Sequence, residues 1–161
     1  TKHLEGAGII NSVKDLWWDV RPHPGFGTVE IRVCDIPLNL KEIIALVALT
    51  QALVVTLLKS EPYQDTHIQI LQSNKWQAAR YGLEGVFVDH KTYKKLSMRK
   101  AIENLFILVD PAMVSLGSKK YCNTLEEILV SGTGSKKQRK LYSSSKNFLH
   151  MLETLKEQFY H

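Results

Sequence analysis

The chain has 161 residues, the length of one domain, and 44% of them are hydrophobic, so it can bury a core. A formal net charge of +5 suits a protein that handles phosphates but does not by itself indicate nucleic acid. Cys34 and Cys122 follow no metal or redox spacing, and we expect both to stay reduced in a cytoplasmic compartment. Residues 1–8 contain no apolar leader segment and predict no defined element, as in a segment cut from a longer chain.

Residues 16–35 predict two short strands joined by a loop over residues 22–27. Because side chains alternate between the two faces of a strand, Glu30 and Arg32 share one face, roughly 7 Å apart. On the preceding strand Asp19 and Arg21 share a face in the same way. If the strands pair, two acids and two arginines converge on one surface.

This charged surface has two interpretations. A glutamate on a strand can bind Mg²⁺, and nearby arginines can hold a phosphate that the metal bridges. Charge pairs are also common on solvated sheet faces, where they do nothing else. The pattern alone leaves both readings open.

The chain then predicts a helix over residues 40–59, capped by Asn39 and apolar nearly all round, which indicates burial on most sides. Its longest apolar run is interrupted and slightly short for a membrane span. A second helix is predicted from Asp65 or Thr66 to Tyr81 and carries a stripe typical of a buried face, made of Ile68, Leu71, Trp76 and Ala79. A small hairpin is predicted over residues 85–96.

Residues 98–109 predict a helix that Ser97 caps and that Asp110 and Pro111 end, followed by short helices over 112–116 and 124–130. Residues 131–135 predict a flexible joint before a helix that breaks at 143–145. A last amphipathic helix is predicted over 147–159.

Taken together, the predicted elements give an α+β chain that is mostly helical, with a few antiparallel strands packed by several helices. We expect residues 1–161 to form a single domain that is part of a larger one, because a two-stranded ribbon is marginal and its edges are open. The missing strands would come from upstream sequence or from a second copy of the chain in a homo-oligomer.

Other signatures are lacking in the sequence, which has no phosphate-binding glycine loop, dinucleotide fingerprint or Ser-His-Asp set. Basic clusters at 94–100 and 136–140 have no interleaved aromatic pattern, so we expect no nucleic acid and no membrane as partner. Three readings stay open: part of an enzyme, a non-catalytic interaction domain derived from the same fold, and a basic nucleic-acid-binding helical domain.

Three stretches resemble the carboxylate–amine ligases of the glutamate–cysteine ligase type 2 family. The first and most specific is Trp17-Trp18-Asp19-Val20-Arg21-Pro22-His23-Pro24, continued by Phe26-Gly27-Thr28-Val29-Glu30-Ile31-Arg32-Val33-Cys34-Asp35. The second is Asn74-Lys75-Trp76-Gln77-Ala78-Ala79-Arg80-Tyr81-Gly82-Leu83-Glu84-Gly85, and the third is the pair Gln138-Arg139.

The resemblance implies a glutamine-synthetase-like fold, in which a curved antiparallel sheet forms the wall of the active site. It also implies ATP-dependent ligation with Mg²⁺, in which the γ-carboxylate of glutamate is phosphorylated and an amine, such as that of cysteine, attacks the acyl phosphate. By resemblance Glu30 is a metal ligand and Arg32 steadies the transferred phosphoryl group, with Arg21 as a second catalytic arginine. Arg80 and Asp19 are candidates for substrate or phosphate contact, and Asp19 could instead orient Arg21.

The chain also departs from the family pattern. Family members are more than twice as long, and their N-terminal half carries a glutamate-rich strand that holds most of the metal. No such strand occurs in this sequence. We therefore expect one wall of the site here, which needs the N-terminal half from elsewhere in order to catalyse.

Overall fold

A computed structural model describes residues 2–60 and 66–160. The chain forms two compact units, Thr1–Ile36 and Pro37–His161, and each is described by itself below. The expectation that both belong to one domain stays a prediction.

The first unit contains a short helix and a hairpin. Helix α1 spans Lys2–Gly6, a 3-10 turn spans Val13–Asp15, and strands β1 and β2 span Val20–His23 and Thr28–Ile31. The expectation that residues 1–8 form no defined element is therefore wrong for the described residues 2–8. The 3-10 turn is fixed by a capping box in which the Ser12 side chain and the Asp15 carboxylate each accept a backbone N–H.

Strands β1 and β2 pair antiparallel, with Arg21 opposite Glu30, which confirms the predicted hairpin. The connection is shorter than predicted, because Pro22 and His23 belong to β1. Proline is tolerated at position 22 because the N–H that it lacks would point away from β2, toward the open edge of β1. The turn ends at Gly27, whose φ of +62° lies in the left-handed region that favours glycine.

The second unit is mostly helical and has one small hairpin. Its described α-helices and strands are α2 (Leu40–Leu58), α3 (Ile68–Tyr81), β3 (Val86–Val88), β4 (Lys95–Ser97), α4 (Met98–Ser115), α5 (Cys122–Ser131), α6 (Gly134–Ser145) and α7 (Phe148–Gln158), and 3-10 turns span Gly82–Glu84 and Lys119–Tyr121. Strands β3 and β4 pair antiparallel. Of the two predicted starts of α3, Asp65 lies outside the described residues, and Thr66 lies two residues before the helix begins at Ile68. The α+β class and the helical majority are confirmed.

The core of this unit lies where α2 meets α4 and α5. Three alanines of α2 are buried at 0–4% exposure and let the neighbouring backbones approach closely. They pack against Val109 and Met113 of α4 and Leu125 of α5. The caps predicted from the sequence hold α2 and α4 in place: Asn39 accepts the N–H of Glu42, and Ser97 accepts that of Lys100.

Helix α2 is buried on one side only, so the prediction of burial on most sides is wrong. Its apolar residues opposite the alanine face are solvent-exposed, for example Val47 at 54% and Leu58 at 81%. Length and composition alone would allow α2 to cross a membrane, a property that core helices of soluble proteins share.

Helix α3 packs through a different face from the one predicted. Ile68, Leu71 and Trp76 are all exposed, at 45–61%. Instead the Asn74 amide lies along strand β3, accepting the N–H of Val88 and donating to its carbonyl, both at 2.8 Å. These two bonds satisfy the open edge of β3, which an apolar face could not do.

Two predicted breaks are absent. Helix α4 continues through Pro111, because Ala112 and Met113 beyond the proline are buried against the core and packing outweighs the lost hydrogen bond. Helix α6 begins at Gly134 and runs through residues 143–145, and it ends at Lys146, which adopts a left-handed φ of +53°.

Candidate functional site

The hairpin brings three of the predicted site residues together on one face. Pairing places Arg21 directly opposite Glu30, and Arg32 follows β2 one residue after its end. The Glu30 carboxylate lies between the two guanidinium groups, 2.7 Å from Nη2 of Arg21 and 3.5 Å from Nη1 of Arg32. The period of two along a strand therefore predicts this convergence correctly.

Arg21 is the most constrained member of this cluster, with a side chain only 12% exposed. Its Nε also donates to Oε2 of Glu30, at 2.9 Å, so this oxygen combines a hydrogen bond with the ion pair to Nη2. Its Nη1 donates to the carbonyl of Lys14 at 2.9 Å and lies 3.5 Å from that of Leu16. The guanidinium thus ties the 3-10 turn to strand β2. No side-chain pattern could reveal these last two partners, because both are backbone oxygens.

Arg32 is held more loosely. Its side chain is 25% exposed, and its guanidinium carbon lies 5.0 Å from the centre of the Trp17 ring, within range of a cation–π interaction. Its backbone N–H donates to the carbonyl of Asp19 at 2.7 Å, which continues the hairpin register past the strand end. Trp17 itself is 84% exposed, so this aromatic is not a core residue.

Asp19 and Arg80 complete the predicted set. Asp19 is half-buried, and its position opposite Arg32 puts it at the end of the same ribbon. Arg80 lies exposed in the last turn of α3 in the second unit, four residues after the exposed Trp76. Within the described part of the chain its side chain has no ion pair.

The charge of the cluster favours an anion. One carboxylate between two guanidinium groups leaves a net positive charge, and the Glu30 side chain is 43% exposed, so the face is open to solvent. Guanidinium groups bind phosphate oxygens in a fork that matches their planar N–H geometry. The residues present therefore fit a phosphate group well.

The fit to a metal ion is partial. Mg²⁺ is commonly bound through one or two carboxylates together with substrate phosphates and water, so Glu30 is a suitable single ligand. In residues 2–60 and 66–160 no group of three or more His, Cys, Asp or Glu side chains is arranged to hold a metal. Further ligands would have to come from the phosphates or from another part of a larger protein.

A second ionic cluster lies in the helical unit. The Arg99 guanidinium, 2.8 Å from Glu84, holds the pKa of that carboxyl below its ordinary value of 4.5, and Lys136 at 3.7 Å adds to the effect. Arg99 also donates to the carbonyl of Leu129. These contacts connect the start of α4 to the end of α5, which is a structural role.

Comparison with known proteins identifies the family. A sequence model of glutamate–cysteine ligase family 2 matches residues 1–157. This chain belongs to that family. The resemblance found in residues 16–35 is therefore confirmed over nearly the whole length.

Relatives in several bacteria carry the provisional name glutamate–cysteine ligase 2. The chain is 38% identical to one from Gloeobacter violaceus over 153 residues, which is 92% of this chain and 41% of the relative. It is 34% identical to one from Sorangium cellulosum over 159 residues, which is 96% of this chain and 42% of the relative. The chain thus spans about two fifths of the length of these relatives, in their C-terminal part.

Proposed function

We propose that this chain supplies one wall of the active site of an ATP-dependent carboxylate–amine ligase that joins glutamate to an amine such as cysteine. The observation that carries the proposal is the Glu30 carboxylate held between Arg21 and Arg32 on an open strand face. Membership of glutamate–cysteine ligase family 2 supports the reaction class.

In the proposed reaction an oxygen of the glutamate γ-carboxylate attacks the γ-phosphorus of ATP, and the bond to ADP breaks. The amine nitrogen then attacks the acyl carbon of the γ-glutamyl phosphate, the C–O bond to phosphate breaks, and the amine loses a proton. The products are an amide, ADP and phosphate. Phosphoryl transfer depends mainly on positioning and on neutralising charge, which are the tasks that arginines perform.

Each site residue has a proposed task. Arg32, which is held loosely over Trp17, steadies the phosphoryl group during its transfer. The nearly buried Arg21 keeps Glu30 in place and adds positive charge. Glu30 would hold Mg²⁺, which when bound offsets negative charge on the ATP phosphates. Asp19 and Arg80 are proposed to contact substrate or phosphate.

The proposal includes the larger protein. Two strands with open edges suit a glutamine-synthetase-like curved sheet that other strands complete, and the greater length of the relatives supports an N-terminal partner region. A second copy of the chain is the alternative source of strands. We place the activity in the cytoplasm, where both free cysteines would stay reduced.

ADP release tests this proposal. The chain, combined with the N-terminal part of the Gloeobacter violaceus relative, is incubated with ATP, Mg²⁺, glutamate and cysteine. We expect ADP release that requires both polypeptides and both amino acids. No turnover by the completed protein with any amine, together with tight nucleotide-independent binding to an unrelated protein, would instead support a non-catalytic interaction domain.

A further inference from the structure

Helix α2 carries an apolar stripe along its whole length, on the side away from the core. Its members follow a spacing of three and four residues and are all exposed: Leu40, Ile44, Val47, Gln51, Val54 and Leu58. At a rise of 1.5 Å per residue, the stripe is about 27 Å long. We refer to these six residues as the α2 stripe.

An exposed stripe of this kind is unusual for a folded chain. Its five apolar members are 39–81% exposed, although each would gain free energy by burial. Contiguous exposed apolar patches mark interaction surfaces. The α2 stripe therefore has the composition of a face that another polypeptide covers.

The total accessible surface leads to the same conclusion. The chain exposes 12098 Å². Two separate compact bodies of the sizes of the two units would together expose about 9,500 Å². The chain therefore exposes more surface than two compact bodies of these sizes, which leaves surface for another polypeptide to cover.

We propose that the α2 stripe is the docking surface for the N-terminal part of the ligase domain, an inference that rests on the proposed function for the existence of that part. The relatives carry about three fifths of their length outside the matched region. That missing length is polypeptide which the relatives carry together with this region, and it favours the N-terminal part over a second copy or a lipid surface as the cover of the stripe.

Binding of the N-terminal part tests the docking surface directly. The upstream part of the Gloeobacter violaceus relative is titrated into the chain by calorimetry, without ATP or glutamate. We expect Val47→Lys and Val54→Lys each to raise Kd about tenfold or more, because each introduces a charge where an apolar side chain is buried. Val130→Lys is the matched control, since Val130 is 88% exposed on α5 and outside the stripe. Circular dichroism melts check that all three variants stay folded.

Several results would overturn the inference. The first is that the unsubstituted chain does not bind the N-terminal part, and the second is that all variants bind it equally. The third is that the chain alone forms a dimer that the α2 variants convert to monomers. The fourth is that the chain binds anionic phospholipid vesicles and the same variants abolish this binding. Failure of the ligase proposal is distinguishable: the complex would then form with the predicted variant pattern but release no ADP.

Discussion

Replacing Arg21 by lysine should loosen the hairpin, because lysine cannot reproduce the guanidinium fork. Arg21 donates its Nε–H to Oε2 of Glu30 at 2.9 Å and an Nη1–H to the carbonyl of Lys14 at 2.9 Å, and its Nη2 lies 2.7 Å from the same Glu30 oxygen. A single ammonium group can keep one of these three contacts at that geometry. Arg21→Lys therefore removes two charged contacts.

The expected loss of free energy depends on how far solvent reaches the Arg21–Glu30 contacts. Hydrogen bonds to charged groups contribute roughly 1.5–3 kcal/mol each when they are buried. The Glu30 side chain is 43% exposed, and solvent screening lowers the value to about 1 kcal/mol for each bond. The expected loss is about 2 kcal/mol in the free energy of opening the hairpin, which is about a 30-fold change in the opening equilibrium.

Amide hydrogen exchange measures this opening. The N–H of Arg32, which donates to Asp19 across the ribbon at 2.7 Å, is the reporter. In Arg21→Lys its protection should fall about 30-fold or to the level of an open chain. Arg32→Lys is the control and should change protection much less, because its guanidinium is 3.5 Å from Glu30 and makes the weaker pair. Equal protection in the unsubstituted chain and in Arg21→Lys would refute the reasoning.

Three further predictions concern the helical unit. Lys137→Met should lower the free energy of unfolding, measured in urea, by about 2–3 kcal/mol. The reason is that the nearly buried Glu42 carboxylate, which lies 2.5 Å from the Lys137 nitrogen, loses its charged partner. The double variant Lys137→Met/Glu42→Gln should recover part of this loss. Asn74→Ala should cost about 2 kcal/mol in the same assay, since two backbone groups of β3 lose their partner, and a cost near zero would contradict this. Arg99 lowers the pKa of Glu84, so the stabilisation by this pair should persist above pH 4.5 and decline as the pH falls below it, a decline that urea titrations of Glu84→Gln should lack.

The sequence predicts the hairpin well because its signals are local. Alternation along β1 and β2 places Arg21, Glu30 and Arg32 on one face whatever the rest of the chain does. Helix caps at Asn39 and Ser97 are also local and correct. The positions that bear the proposed chemistry were therefore accessible from residue order alone.

The wrong predictions depend on tertiary contacts. The sequence marks Pro111 as a helix end, but burial of Met113 carries α4 past it. An apolar stripe on α3 indicates a buried face, but the polar Asn74 faces strand β3 because the strand edge needs hydrogen-bond partners. Helix α2 is apolar nearly all round, which predicts burial on most sides, but in this chain only its alanine face is buried.

The roles of the site residues depend on atoms that other parts of the protein and the substrates contribute. The most direct test of the central claim is ADP release by Glu30→Gln in the chain combined with the N-terminal part. Glu84→Gln is the matched control, because Glu84 also pairs with an arginine at 2.8 Å but lies in the helical unit. We expect Glu30→Gln to abolish glutamate- and cysteine-dependent ADP release and Glu84→Gln to retain it. Turnover by Glu30→Gln equal to that of the unsubstituted protein would contradict the assignment of this hairpin to the active site.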